Sequence, residues 1–294
     1  MTAQREAKEG EPVDEGSYGV AAFFDLDGTL VPRPSMEKRL FSMLRYQHFV
    51  GLRNYFWWAV EAVRLAPRGI NQILHANKMY LQGVRAAARG GTDIPVCLFR
   101  PSESKKHAEI RRQARLPVPL YCQAIERVAW HAERGHLIVI VSGTLELLAE
   151  KTARTLEHEL GARGLSHKIH VCATRLEEKD GRWTGRILGE AMFGEAKARA
   201  ITRIAAEADL DLLRSFAYGD SSCDRWMLEA VGKPAAVNPS NDLARIARRN
   251  DWVVLQWGEE KNLTPRTSNA RSTQKSERLG QELQASRVKS GYGA

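Results

Sequence analysis

Two carboxylates one residue apart mark the first place in this chain where chemistry is expected. The stretch Ala21–Pro32, AAFFDLDGTLVP, ends an apolar run with Asp25 and Asp27. On a strand, residues i and i+2 face the same side, so these two charges would lie close together. Like charges at such a distance are costly unless a cation or a shared proton relieves them. A strand end alone does not require this pair, which therefore predicts a functional site.

Other groups suited to phosphate chemistry follow later apolar runs or open a helix. They are Ser142, Gly143 and Thr144 after Leu137–Val141, Lys197 in GEAKARAI, and Asp220 with Asp224 after SFAYG. In open parallel sheets, ligands bind beyond the carboxyl ends of the strands. We therefore expect these groups to lie near Asp25 and Asp27.

Together these residue types fit phosphoryl transfer to a carboxylate. Asp25 and Asp220 on neighbouring strands would form an oxygen-rich site for Mg²⁺. The Ser142 hydroxyl and the Lys197 ammonium would bind the phosphoryl oxygens. Asp25 could then attack phosphorus and form an aspartyl-phosphate. Asp27 would protonate the departing oxygen and later deprotonate a water.

Four motifs in this order resemble those of the haloacid dehalogenase-like (HAD) phosphatases. They are DLDGTL, VSGT, the downstream Lys197, and GDSSCDRWML. The longer stretches AIERVAWHAERGHLIVIVSGT, GRWTGRILGEAMFGEAK and YGDSSCDRWMLEAVGKPAAVNP resemble the phosphoserine-phosphatase-like subfamily IB more narrowly. The resemblance covers about Val20 to Trp257 and is weaker between the first two motifs. It implies a Rossmann-like core with a cap.

The resemblance also implies roles for the acidic residues. Asp25 would be the nucleophile and Asp27 the general acid and base. Mg²⁺ would be held by the Asp25 carboxylate, the Asp27 main-chain carbonyl and Asp220. Asp224 would support the metal through water or from the second ligand sphere.

For the phosphate, the resemblance implies binding by Ser142, by Lys197 and by the main-chain N–H of Gly143. One departure from the family pattern lies next to the last motif. Arg225–Trp226 stand where relatives often have a small residue and a proline. This difference affects packing beside the predicted metal loop, and the chemistry itself does not depend on it.

Alternating strands and helices predict an α/β fold with a parallel sheet and helices on both faces. Within it, helical periodicity from Met36 to about Arg89 predicts an inserted α-helical cap, with one helix running from Ile70 to Ala88. A hairpin is predicted with its turn at Lys179–Gly181. The predicted parts are a disordered leader (1–17), the HAD-like core (18–32 and 131–257), the helical cap (33–130) and a flexible basic tail (258–294).

Composition favours a soluble cytoplasmic protein. Of 294 residues, 43% are hydrophobic and 27% are charged, as in ordinary globular proteins. The N-terminal stretch has no apolar run typical of a secretory signal, and the most apolar window, Asn54–Ala66, is too short to span a bilayer. The cysteines Cys97, Cys122, Cys172 and Cys223 lack paired spacing, which favours reduced thiols.

The excess positive charge is confined to one segment. Residues 33–130 carry 17 Lys and Arg against 6 Asp and Glu, whereas the rest of the chain is slightly acidic. Such a segment attracts anions. Its aromatic run, YFWWAVEAV, is interpreted as packing between cap helices, with peripheral contact to an anionic membrane as the alternative. His75, Lys78 and Tyr80 lie on predicted cap helices where a substrate could reach them, without an assigned role.

The resulting prediction is a Mg²⁺-dependent phosphatase that hydrolyses a small phosphorylated metabolite, such as phosphoserine, through an aspartyl-phosphate. No nucleic-acid-binding module is recognisable. A dehalogenase is disfavoured because those enzymes lack the second acid of DLD. Two alternatives remain: a phosphotransferase that uses the same intermediate, and a catalytically idle scaffold that binds anionic membrane through its cap.

Overall fold

The structure is a computed structural model that describes residues 19–85 and 118–258. The predicted leader (1–17) lies outside the described residues, as do Cys97 and all but the first residue of the predicted tail (258–294).

Strand β1, Ala21–Phe24, is buried on both sides. Ala22 and Phe24 belong to one apolar cluster and Ala21 and Phe23 to another. Because side chains alternate along a strand, these two clusters lie on opposite faces of the sheet. A continuous apolar run is what such a central strand requires.

In the described segment up to residue 85, β1 is followed by the α-helices α1 (Met36–Tyr46), α2 (Leu52–Leu65) and α3 (Ile70–Ala76). The predicted helix from Ile70 to Ala88 is therefore too long. Asn77 ends it, because its side chain accepts a hydrogen bond from the Met79 N–H (3.2 Å) and donates one to the Trp58 carbonyl (2.8 Å). Such local bonding competes with a further helical turn.

The prediction that the aromatic run on α2 packs between cap helices is wrong for most of its large side chains. Leu65 is the buried residue of this helix. The large side chains of the run lie at the surface instead: Tyr55, Phe56, Trp57, Trp58 and Val60.

The remaining described strands extend one sheet to seven strands. They are β2 (Leu137–Leu145), β3 (Ile169–Lys179), β4 (Arg182–Leu188), β5 (Phe216–Gly219), β6 (Lys233–Val237) and β7 (Val253–Leu255). The order is β4-β3-β2-β1-β5-β6-β7. Every pairing is parallel except that of β3 with β4, which form the predicted hairpin. The predicted α/β fold is confirmed.

Helices cover both faces of this sheet. Residues of α4 (Cys122–Ala132) and α5 (Glu146–Ala162) join the apolar cluster of Phe24. Residues of α6 (Glu195–Glu207), α7 (Arg225–Glu229) and α8 (Asn241–Arg249) join the cluster of Phe23. Helix α4 packs against β2, so residues 122–130 lie with the sheet, although the predicted cap range extends to residue 130.

None of the helices within residues 19–85 and 118–258 is long and apolar enough to cross a bilayer.

Candidate functional site

The ends of the neighbouring strands β1 and β5 bring Asp25 and Asp220 together. The Asp25 N–H donates to the Tyr218 carbonyl at 2.8 Å, so the pairing of β1 with β5 continues to the start of the site. Gly28 turns the chain there with a φ of +98°. A Cβ atom at Gly28 would lie only 2.6 Å from the carboxyl carbon of Asp220. The residue must therefore be glycine for the loop to approach Asp220 this closely.

Lys197 joins two of the acids. Its Nζ atom lies 2.5 Å from Asp25 Oδ1 and 2.6 Å from Asp224 Oδ1, and all three side chains are buried. Burial alone would lower the pKa of Lys197, but the two carboxylates raise it above its ordinary value. The charged form of Lys197 is thus favoured, and its charge compensates the two buried carboxylates.

The surroundings of Asp25 and Asp224 differ, although both face Lys197. Burial raises the pKa of Asp25, and Lys197 offsets this only in part. Burial also acts on Asp224, yet Lys197 and the backbone N–H and hydroxyl of Ser221 hold its pKa below the ordinary value. These Ser221 groups donate to Asp224 Oδ2 at 2.9 and 2.8 Å. Asp224 is therefore held ionised by fixed donors.

Asp27 is fixed between the helical insertion and the end of β2. Its Oδ1 atom accepts a hydrogen bond from the Met36 N–H at the start of α1 (2.7 Å). Its Oδ2 atom accepts one from the Thr144 hydroxyl (2.7 Å). Burial raises the pKa of Asp27, and the two hydrogen bonds oppose this rise. A carboxyl group in this environment is suited to holding a proton.

Asp220 lies where a cation is favoured. Burial and the negative charge of Asp224 raise its pKa to about 6, even though Arg33 contacts Asp220 Oδ2 at 2.6 Å. Asp25, Asp220 and Asp224 each offer an oxygen, and these oxygens lie within 4.8 Å of one another. Carboxylate oxygens are the ligands that Mg²⁺ prefers, and a divalent cation would relieve the repulsion. The residues fit the predicted metal.

The end of β2 leaves the sheet at the predicted phosphate-binding residues. The register with β3 shifts between Ser142 and Leu145, which displaces Gly143 and Thr144 from regular pairing. Such irregularities often lie beside active sites. The Thr144 N–H donates to the buried Ser142 hydroxyl at 3.2 Å, and Thr174 donates to the Gly143 carbonyl at 2.9 Å. The Ser142–Thr144 loop is therefore fixed by one hydrogen bond within it and by one from β3.

The model of the haloacid dehalogenase-like hydrolase family matches residues 22–229 of this chain. The chain belongs to this family. The predicted family membership is thus confirmed by a match that covers all seven residues predicted for the site.

Relatives of this HAD hydrolase carry phosphatase names. A probable phosphatase of Mycobacterium tuberculosis is 35% identical over 147 residues, which are 50% of this chain and 47% of the relative. A phosphoserine phosphatase of the same organism is 29% identical over 243 residues, 80% of this chain and 70% of the relative. The predicted likeness to the phosphoserine-phosphatase-like group is confirmed. The HAD hydrolase spans about half the length of the first of these relatives.

A solved structure shares the fold. A protein of unknown function from Bordetella pertussis superposes with a TM-score of 0.55 at 28% identity, covering 80% of this chain and 97% of that one. This similarity supports the fold assignment.

The structure brings together Asp25, Asp220, Asp224 and Lys197, with Asp27 bound to the adjacent loop of Ser142–Thr144. Asp224, predicted to support the metal through water or from the second ligand sphere, lies within this group. It contributes one of the three neighbouring carboxylate oxygens and also binds Lys197 directly.

Sequence reasoning missed two contacts of the HAD hydrolase. Thr144 belongs to the VSGT motif, yet its hydrogen bond to Asp27 could not be inferred, because the two residues are 117 positions apart. Arg33, which binds Asp220, carried no signal beyond its charge.

A second group of interest lies in the helical insertion. Glu37 binds the buried Lys78 through both oxygens (2.6 and 2.7 Å) and accepts a hydrogen bond from the Tyr80 hydroxyl. Glu37 therefore binds Lys78 in an ion pair and Tyr80 through a hydrogen bond, both within the helical insertion. His75 stacks on Phe193, with ring centroids 4.9 Å apart.

Proposed function

We propose that this HAD hydrolase is a Mg²⁺-dependent phosphatase that cleaves a small phosphomonoester through an aspartyl-phosphate on Asp25. Phosphoserine is the first substrate to test, because a relative bears that name. The observation that carries the proposal is the cluster of three buried carboxylates, two of which bind Lys197, beside a separately held Asp27. We further propose that it acts in the cytoplasm, in keeping with the scattered cysteines.

The first half-reaction uses Asp25 as the nucleophile. A carboxylate oxygen of Asp25 forms a bond to phosphorus while the bond from phosphorus to the leaving oxygen breaks. Asp27 donates a proton to that leaving oxygen, so an alcohol departs. The charge on Asp25 is favoured by Lys197 at 2.5 Å, which also stays close to the developing negative charge.

The second half-reaction returns the enzyme to its initial state. A water attacks phosphorus, the bond to Asp25 breaks, and inorganic phosphate forms. Asp27, now deprotonated, accepts the proton of this water. The hydrogen bonds from Met36 and Thr144 keep its carboxyl group in one orientation through both steps.

Phosphate would be held by Lys197, by the Ser142 hydroxyl and by the Gly143 N–H. The metal would be held by the carboxylates of Asp25 and Asp220 and by the Asp27 carbonyl. Mg²⁺, when bound, would neutralise charge on the phosphoryl group.

The test is phosphate release from an aryl phosphate and from phosphoserine, with Mg²⁺ and with a chelator. Asp25→Asn keeps the shape of the side chain but removes the nucleophile, so we expect kcat to fall at least about a thousandfold. Asp180→Asn, in the exposed turn between β3 and β4, is the matched control and keeps full activity.

Wild-type turnover that persists in the chelator contradicts the metal requirement. Equal turnover by Asp25→Asn contradicts the intermediate. If wild type releases phosphate from neither substrate, nor from a panel of small phosphorylated alcohols, phosphomonoester hydrolysis is wrong.

A further inference from the structure

The outward face of α2 carries an apolar stripe. Leu52, Phe56 and Val63 are 88%, 61% and 76% exposed. Their spacing of four and seven residues places them on one side of the helix. Such a stripe normally faces a protein core, but here it faces solvent.

The opposite side of α2 is anchored, which fixes the direction of the stripe. The Asn54 amide donates to the carbonyls of Tyr80 (3.1 Å) and Gln82 (2.8 Å), and Leu65 is buried. Helix α2 is therefore seated through its inner side, and rotating the stripe inward would break these contacts.

Neighbouring α3 adds further exposed aliphatic side chains. Ile70 is 65% and Leu74 is 62% exposed, one helical turn apart. Two neighbouring helices thus both expose several large apolar side chains, and large exposed apolar surfaces mark interaction sites.

This helical segment carries a large excess of positive charge. Residues 36–85 contain eight Lys and Arg against two Asp and Glu. Both acids are already paired, Glu37 with Lys78 at 2.6 Å and Glu61 with Arg64 at 3.6 Å. Arg53 and Arg64 each follow a stripe residue, so they flank the stripe on one side. A partner that complements this surface must be anionic.

The segment that continues the sequence beyond residue 85 does not supply that charge. Residues 86–117, which continue this part of the sequence, carry seven Lys and Arg against three Asp and Glu. A second copy would bring the same excess of positive charge to the interface. Nucleic acid is anionic, but Leu52 and Val63, the two most exposed residues of the stripe, cannot stack on bases.

We propose that the face of α2 formed by Leu52, Phe56 and Val63, with Arg53 and Arg64, docks on the surface of an anionic lipid bilayer. The apolar stripe enters the boundary between headgroups and acyl chains, and the arginines reach the lipid phosphates. A helix that lies in the interface needs no spanning segment. This inference does not rest on the proposed hydrolysis, because neither the stripe nor its arginines belong to the carboxylate site.

The test is flotation of the full chain with vesicles of phosphatidylcholine, with and without phosphatidylglycerol. Wild type binds only the vesicles that contain the anionic lipid, and salt weakens this binding. We expect the double variant Phe56→Ser/Val63→Ser, and separately Arg53→Gln/Arg64→Gln, to bind at least about tenfold more weakly. Asp25→Asn binds like wild type, which separates this result from the fate of the proposed enzymatic function.

Matched control variants remove an exposed apolar side chain or an exposed arginine outside α2. Leu213→Ser changes an aliphatic side chain that is 81% exposed, and Arg203→Gln changes an exposed arginine of α6. Both bind like wild type. Far-ultraviolet circular dichroism and the thermal midpoint verify that every variant is folded.

Several results would overturn the proposal. They are absence of wild-type binding to anionic vesicles, equal binding to pure phosphatidylcholine, and unchanged binding by both α2 variants. Sedimentation that shows a wild-type dimer converted to monomer by Phe56→Ser/Val63→Ser would assign the face to a second copy. Oligonucleotide binding that depends on Arg53 and Arg64, without vesicle binding, would assign it to nucleic acid.

Discussion

The pH dependence of stability is predicted from one buried histidine beneath the site. His131 lies on α4 and is fully buried. One ring nitrogen contacts the Tyr218 hydroxyl at 2.9 Å and the other contacts His136 at 2.8 Å. Tyr218 in turn stacks on Phe24, with ring centroids 4.5 Å apart. Phe24 and Tyr218 lie on the strands that end in Asp25 and Asp220.

Burial, helped by the charges of His136 and then of Arg127, Arg134 and Lys233, lowers the pKa of His131 from 6.5 to about 2. The folded protein therefore leaves this histidine neutral at pH values where the unfolded chain binds a proton. Stability from this source is complete above pH 6.5 and is lost as the pH falls below that value.

The magnitude follows from the two pKa values. Between about pH 7.5 and about pH 5.5, the unfolded state gains about 1.4 kcal/mol from protonating His131, and the folded state gains nothing. His131→Gln retains hydrogen-bonding groups but does not titrate. We expect the variant to lose about 1.4 kcal/mol less than wild type over this interval, whatever its stability at the higher pH.

The assay is urea unfolding at both pH values, followed by circular dichroism, for wild type and His131→Gln. The comparison of slopes cancels titrating groups that do not contact His131, such as His75 and Asp220. Because His136 contacts His131 at 2.8 Å, the comparison is repeated in a His136→Gln background. His158→Gln, at an exposed position of α5, is the matched control. Equal loss of unfolding free energy in wild type and His131→Gln would refute the reasoning.

Two further predictions concern the groups that position the acids. Gly28→Ala forces Asp220 away from a new Cβ that would lie 2.6 Å from its carboxyl carbon, so we expect at least a tenfold higher Mg²⁺ requirement in the phosphatase assay. Thr144→Val removes a donor to the proposed general acid, so we expect kcat for phosphate release to fall about tenfold or more.

Each of these two variants has a control that introduces the same backbone strain, or removes the same kind of hydrogen bond, elsewhere in the protein. Gly69 has a φ of +97° but open space around a Cβ, so Gly69→Ala carries the backbone strain without touching a carboxylate. Thr152 is buried and donates to the Leu148 carbonyl at 2.9 Å, so Thr152→Val loses a similar bond away from the site. If the controls lose as much activity as Gly28→Ala and Thr144→Val, the effects are those of general destabilisation.

The sequence alone determined the strands and what stands at their ends. A strand buried on both faces needs an uninterrupted apolar run, so AAFF and LIVIV could be identified from local pattern. Alternation then placed Asp25 and Asp27 side by side, and the rule for parallel sheets placed Ser142 and Asp220 near them. These are short-range properties of the chain, or follow directly from sheet topology.

Only the tertiary structure decided how those groups are paired. Lys197 divides its contacts between Asp25 and Asp224, and Thr144 binds Asp27, through distances that no spacing in the sequence encodes. The early end of α3 has the same origin, because Asn77 bonds to the Trp58 carbonyl on α2.

Long-range contacts also determine which face of α2 points to solvent. Helical periodicity shows that Leu52, Phe56 and Val63 share a face, but burial depends on what lies opposite. The bonds from Asn54 to the segment at Tyr80–Gln82 seat the helix on its other side. An amphipathic pattern therefore predicts a helix, and its tertiary contacts determine which face meets solvent.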